Sequence, residues 1–196
     1  MEPNLKERIF GLDALRATAI LMVVSSHVLW IYPKSNAFIP TLFGLFGFWG
    51  VELFFVLSGF LIGSILYKTF INENFILKSV FHFLKRRWFR TLPNYYLVLI
   101  LNILIAFFLG FSIENTGSYF LFLQNFASKS PTFFPESWSL SIEEYTYLLL
   151  PFSLFFVGLS KVKNKAKLFL LVILALILVF WMNKFYYHSQ HKISNL

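Results

Sequence analysis

The chain has 196 residues, 58% of them apolar and 13% charged, with 27 Phe. A soluble domain is usually about 45–50% apolar and about 25% charged, so a water-soluble globule, a disordered tail, a coiled coil and a disulfide-stapled secreted module are excluded. The lack of cysteine removes thiol catalysis, Cys-ligated metals and S-acylation. The net charge of +8 sits in basic blocks between apolar runs, which points to a membrane surface and not to nucleic acid.

A spanning helix needs roughly 20 apolar residues to cover about 30 Å of hydrocarbon, and five stretches qualify. Residues 9–32 are interrupted by Asp13, Arg16 and His27, and residues 42–67 carry Glu52 as their sole charge. Nothing ionises between Arg90 and Glu114, which marks residues 92–111 as a third span. The fourth opens near Trp138 and ends before Lys161, with Glu143 and Glu144 in its first turns, and residues 168–187 form the fifth. The stretch 112–137 is external and semi-polar, and its aromatic part, Tyr119 to Phe126, is suited to lie at the interface or re-enter. The first segment contains Arg16 and His27 and has no small-residue cleavage site, so it does not read as a signal peptide. Without linker, internal repeat or low-complexity tract, residues 1–196 predict one all-α domain, a polytopic membrane helix bundle of about five spanning helices.

With a cytoplasmic N-terminus, all but Lys34, Lys129, Lys184 and Lys192 of the 17 Lys and Arg fall on the inner side. The positive-inside rule selects that orientation. Trp30, Tyr32, Trp88, Trp138, Trp181, Tyr186 and Tyr187 fall near expected helix ends and read as interfacial anchors.

Ionisable groups inside a span cost about 2.5–3.5 kcal/mol on insertion scales, so each calls for a partner or a function. Asp13 and Arg16, three apart on one helix, can pair. Arg16 and His27 return to nearly the same face about 16 Å apart along the axis, giving the first helix a polar stripe. Neutral imidazole takes a proton from a hydroxyl near physiological pH and returns it, which makes His27 the candidate general base; a structural hydrogen bond to a neighbouring helix is the bland alternative. Glu52 and Glu143 both lie in the outer halves of their helices, where either carboxylate can fix the tautomer of the ring. They serve equally well as a helix-bridging pair, or, for Glu143, as a charge favoured by the helix dipole, and spacing does not rank them.

The run Lys85-Arg86-Arg87-Trp88-Phe89-Arg90 precedes Thr91-Leu92-Pro93. On a helix Arg87 and Arg90 point the same way and can clamp a phosphate bidentately, or they hold topology and touch anionic headgroups. Gly59 and Gly63 form a GxxxG, and Gly44, Gly47 and Gly50 recur every three residues, a pattern for close helix packing. Ser58 lacks the elbow motif of a nucleophile.

Taken in order, Gly11-Leu12-Asp13-Ala14-Leu15-Arg16-Ala17 with His27, Phe54-Phe55-Val56-Leu57-Ser58-Gly59-Phe60-Leu61-Ile62, Arg86-Arg87 through Arg90 and Pro93, and Trp138-Ser139-Leu140-Ser141-Ile142-Glu143-Glu144 through Tyr147 and Pro151 resemble acyltransferase family 3, the integral-membrane O-acyltransferases. The resemblance covers about residues 8 to 160. It implies transfer of an acyl group, commonly acetyl, from cytoplasmic acyl-CoA to a hydroxyl of a cell-envelope carbohydrate such as lipopolysaccharide, peptidoglycan or exopolysaccharide, in the bacterial inner membrane. Acyl-CoA (acetyl-CoA) is then a co-substrate, with no permanently bound cofactor and no metal. His27 matches the essential histidine, Arg16 the arginine of the leading motif, Arg87 and Arg90 the Arg-x-x-Arg pair facing the coenzyme A phosphates, Glu52 the second-helix carboxylate and Glu143 that of the Trp-Ser-Leu motif. Arg16 is the candidate donor to the oxyanion.

Family members resemble bundles of about ten spanning helices, so this chain corresponds to the N-terminal half. A partner chain or homo-oligomer that supplies further helices, or a non-catalytic partner or remnant, is therefore expected as an alternative to an active enzyme. A proton-coupled transporter fragment is another, because intramembrane His, Arg and Glu also line proton relays.

Overall fold

A computed structural model describes residues 10–28, 38–72, 74–111, 116–125, 133–160 and 164–193, with side chains through Met182. Lys6, Arg8, Trp30, Tyr32, Lys34, Lys129, Lys161 and Lys163, and the side chains of Lys184, Tyr186, Tyr187 and Lys192, lie outside the described residues. Six helices follow one another: α1 Phe10–His27, α2 Phe38–Asn72, α3 Leu77–Phe108, α4 Thr116–Phe120, α5 Ser137–Gly158 and α6 Lys165–Ile193. No strand occurs among the described residues, so the all-α expectation holds. Among the described residues four helical segments are long and apolar enough to cross a bilayer: Phe38–Asn72, Leu77–Leu109, Ser137–Gly158 and Lys165–Met182. The first of the five expected spans differs because α1 has 18 residues, and Asp13, Arg16 and His27 dilute its apolar character.

The fold divides into two compact units, Met1–Ile65 and Leu66–Leu196. In the first, α1 and α2 meet through glycine. A Cβ added to Gly47 would lie 2.5 Å from Ser26 Oγ, and one at Gly50 would lie 2.8 Å from Val23 Cγ2 and 2.9 Å from the Ala19 carbonyl oxygen. Such close backbone approach is what small residues provide in membrane helices, where dispersion between packed chains replaces the hydrophobic effect. Gly44, Gly59 and Gly63 face open space among the described residues, so the three-residue glycine repeat makes the contact at two of its positions and the GxxxG does not.

In the second unit α3 is the spine. Its 32 residues extend about 48 Å at 1.5 Å per residue, well beyond about 30 Å of hydrocarbon. The expected boundary between a basic connection and a span near residue 91 lies inside this one helix, since Lys and Arg are good helix formers and Pro93 is accommodated within it. Its buried positions, Val80, Phe83, Leu84, Tyr95, Leu99 and Ala106, recur at the spacing of one helical face. On α5 the corresponding face is Ser137, Ser141, Glu144, Tyr147, Leu150, Pro151 and Leu154. At the other end of the unit Phe70 packs against Phe75 and Phe169, and a Cβ on Gly158 would lie 3.2 Å from its ring.

The segment after α3 folds back along that helix. Tyr95, which lies about 20 Å from the end of α3 at Phe108, buries its ring with Tyr119, Phe122 and Leu99. Tyr95 Oη donates to the Tyr119 carbonyl at 2.8 Å, Tyr96 Oη to the Phe120 carbonyl at 3.0 Å and Tyr145 Oη to the Phe122 carbonyl at 2.6 Å. Irregular backbone at membrane depth needs such partners. The turn itself is made at Phe122, whose φ of 59° is unusual for a bulky residue and is held by these surroundings.

Candidate active site

On α1, His27 ends the helix and is exposed. Its Nδ1 lies 2.7 Å from the Val23 carbonyl oxygen, a geometry in which Nδ1 carries the hydrogen and Nε2 is the basic nitrogen. A backbone carbonyl one turn earlier thus engages the Nδ1 side of the ring. Val23 also accepts from Ser26 Oγ at 2.7 Å, and its side chain packs at Gly50. The turn that holds the imidazole is therefore the turn that docks on α2.

Arg16 lies in the N-terminal half of α1. Its Nη1 pairs with Asp13 Oδ1 at 3.0 Å, towards the N-terminal end of the helix and away from His27, which is about 16 Å further along. The pair with Asp13 is the one the three-residue spacing predicts. Glu52 is exposed and lies about 160° around α2 from Gly50, so α2 turns it away from the face that meets α1 and from His27.

In the second unit the structure joins two of the candidates through a residue with no sequence assignment. Arg87 is half-buried, with its guanidinium 5.7 Å from the Phe83 ring centroid and 6.0 Å from that of Tyr147. Guanidinium against aromatic faces is favourable where water is scarce. Tyr147 is buried and donates its hydroxyl to Glu143 Oε2 at 2.9 Å. Arg87 and Glu143 thus meet at opposite ends of one tyrosine. Arg90 is exposed, whereas Arg87 shares the side of α3 that carries the buried Phe83 and Leu84.

Among the described residues the most buried carboxylate is Glu144, 3% exposed. Its Oε2 accepts from Trp88 Nε1 at 2.9 Å and its Oε1 from Thr91 Oγ1 at 3.3 Å. Trp88 is therefore a cross-helix donor. A signal for Glu144 was present in the sequence: it falls on the apolar stripe of α5 with Ser141, Tyr147 and Pro151, whereas Glu143 falls beside it. Among the described residues no three His, Cys, Asp or Glu side chains are grouped to hold a metal ion.

An acyltransferase-domain family matches residues 9–196, which include all four sequence motifs and every candidate above. The chain belongs to this family. Among its relatives, the peptidoglycan O-acetyltransferase OatA of Listeria monocytogenes is 31% identical over 196 residues, covering 90% of this chain and 29% of that protein. The putative peptidoglycan O-acetyltransferase YrhL of Bacillus subtilis is 32% identical over 176 residues, covering 81% of this chain and 25% of that protein. The O-acetyltransferase OatA of Staphylococcus aureus is 30% identical over 164 residues, covering 75% and 25%. This acyltransferase-family chain therefore spans between 25% and 29% of the length of these relatives. No solved structure matches it.

Proposed function

We propose that the chain is the acyl-transferring part of a membrane O-acetyltransferase, which moves an acetyl group from acetyl-CoA to a hydroxyl of a cell-envelope carbohydrate such as peptidoglycan. The observation that carries this reading is the family match over residues 9–196, joined to relatives named as peptidoglycan O-acetyltransferases. The anchored imidazole supports it chemically. With Nδ1 held by Val23, His27 Nε2 takes the proton of the acceptor hydroxyl as its oxygen attacks the thioester carbonyl carbon. The C–S bond then breaks, the new ester forms, and the imidazolium returns its proton to the coenzyme A thiolate. Arg87 and Arg90 bind the phosphates of the donor, Arg90 from an exposed position and Arg87 from within its aromatic surround. Glu143 acts on Arg87 through Tyr147. The site belongs to the bacterial inner membrane, with the N-terminus and the basic half of α3 on the cytoplasmic side, where acyl-CoA is found.

A non-catalytic partner of such an enzyme is the second reading. The short length of the chain relative to its relatives favours it, because further helices would then come from a homo-oligomer or a partner chain. One experiment separates the two: membranes containing the chain are given labelled acetyl-CoA, and transfer is compared for the parent, His27→Ala and Arg87→Ala/Arg90→Ala. The enzyme reading expects a loss of at least about a hundredfold for His27→Ala. Equal signal from all three overturns it.

A further inference from the structure

The geometry points to Glu144 as a positioning residue: it sets the rotation and register of α3 against α5, and so determines where the Arg87 guanidinium is presented. The inference deepens the proposed phosphate-binding role of Arg87 and rests on it. Glu144 is buried in a span, where a carboxylate is costly, and its two donors are a neutral indole and a neutral hydroxyl from successive turns of α3. Trp88 follows Arg87 and Thr91 follows Arg90 in the chain, so a hold on the first pair fixes the direction of the second. Thr91 Oγ1 also lies 3.1 Å from the Arg87 carbonyl oxygen, so its single hydrogen is shared between that carbonyl and Glu144, which leaves the Trp88 indole as the stronger donor of the lock. The contacts continue in antiparallel register down both helices: Glu144 with Trp88 and Thr91, then Tyr147 with Arg87 and with Phe83 at 6.3 Å between ring centroids, then Phe152 with Phe81 at 6.5 Å. The neighbouring contacts are ring and dispersion contacts that tolerate sliding, whereas the two hydrogen bonds to Glu144 are directional. They specify the register.

Because the lock is made by neutral donors, it depends on hydrogen-bonding shape more than on charge, and Gln is the conservative replacement. The chain has no cysteine, so a Phe81→Cys/Phe152→Cys pair reports the α3 to α5 register through a short bifunctional thiol reagent, independently of activity. The full chain carrying this pair, in native membranes, is compared with its Glu144→Gln, Glu144→Ala and Trp88→Phe derivatives for cross-link yield; acetyl-CoA KM and kcat are measured for the same substitutions without the cysteines. Glu144→Gln is expected within about twofold of its parent in every measurement. Glu144→Ala is expected to lower the cross-link yield several-fold and to raise acetyl-CoA KM about tenfold with a smaller change in kcat, the order of one lost phosphate contact. Trp88→Phe, which retains volume and loses one donor, is expected to move the same way by less, and it carries the test if Glu144→Ala does not accumulate. Arg87→Ala/Glu144→Ala is expected to have the KM of Arg87→Ala alone, because Glu144 acts through Arg87. Parental cross-linking in Glu144→Ala or in Trp88→Phe overturns the inference, as does damage by Gln equal to that by Ala. If no form transfers acetyl but cross-linking follows the expected order, the lock stands and the acetyl-CoA role of Arg87 fails.

Discussion

Gly50→Ala tests the contact that supports the candidate base. The added methyl would sit 2.8 Å from Val23 Cγ2, 2.9 Å from the Ala19 carbonyl oxygen and 3.1 Å from Met22 Cβ. The Ala19 contact is to helical backbone, which cannot rotate aside, so α1 must move. Overpacking of this kind costs about 1–3 kcal/mol. Gly59, nine residues further along the same helix, meets nothing within 4 Å, and Gly→Ala there gains about 0.5–1 kcal/mol from helix propensity. The two substitutions share their chemistry and should differ in sign, by about 1.5–4 kcal/mol in total. At about 2–4 °C per kcal/mol for a chain of this size, Gly50→Ala should lower the thermal midpoint and Gly59→Ala raise it slightly. The assay is the loss of the monodisperse peak after heating, with both variants in one detergent. Acetyl transfer should fall with Gly50→Ala at temperatures where the protein remains folded, because Val23 carries both the Gly50 contact and the carbonyl that holds His27. Equal midpoints for the two variants would refute the close approach of α1 to α2.

Three further outcomes are expected. Arg87→Lys should fail to restore what Arg87→Ala loses in acetyl-CoA KM, because an ammonium does not reproduce a planar guanidinium between Phe83 and Tyr147, while Arg90→Lys should stay within a few-fold of the parent; equal tolerance at both positions in steady-state kinetics counts against their inequivalence. Tyr95→Phe removes the donor to the buried Tyr119 carbonyl and should destabilise the folded-back segment by about 1–3 kcal/mol, seen as faster amide hydrogen exchange over residues 119–123; unchanged exchange rates would contradict the anchoring role. Glu52→Gln should lower transfer far less than His27→Ala in the same membranes, because α2 turns Glu52 away from the face that carries the α1 contact; comparable losses would place Glu52 in the chemistry.

Four of the five expected spans were legible because apolar length against bilayer thickness is a one-dimensional constraint, and residues 138–160 emerged as α5 almost to the residue. The family was legible because four motifs stood in order. The partners of the polar groups were harder to read. Glu143 and Glu144 are adjacent and chemically alike, and the Trp-Ser-Leu motif drew attention to the first. The distinction lies in helix phase: Glu144 shares the buried stripe with Ser141 and Tyr147, whereas Glu143 bonds to Tyr147 within its own helix. Arg87 and Arg90 present the same difficulty on α3, where a three-residue spacing still leaves them about 60° apart, enough to put one at the helix interface and the other outside it. The anchor of His27 could not be found among side chains, because it is a backbone carbonyl.

These partners share a chemical character that bears on ligand choice. His27 is held by a carbonyl, Glu144 by an indole and a hydroxyl, and Glu143 accepts from a phenol. The backbone carbonyls of Tyr119, Phe120 and Phe122 accept from three tyrosine hydroxyls. Neutral donors satisfy lone pairs in a medium that punishes unsatisfied ones, and they do so without bringing in a compensating cation. On α5 this gives both carboxylates a hydrogen-bond donor of their own, and a phosphate, with more charge and more acceptor oxygens, competes well against a carboxylate so engaged for the guanidinium of Arg87. The proposed attraction of Arg87 for an anionic donor is therefore compatible with the two acidic residues on the neighbouring helix.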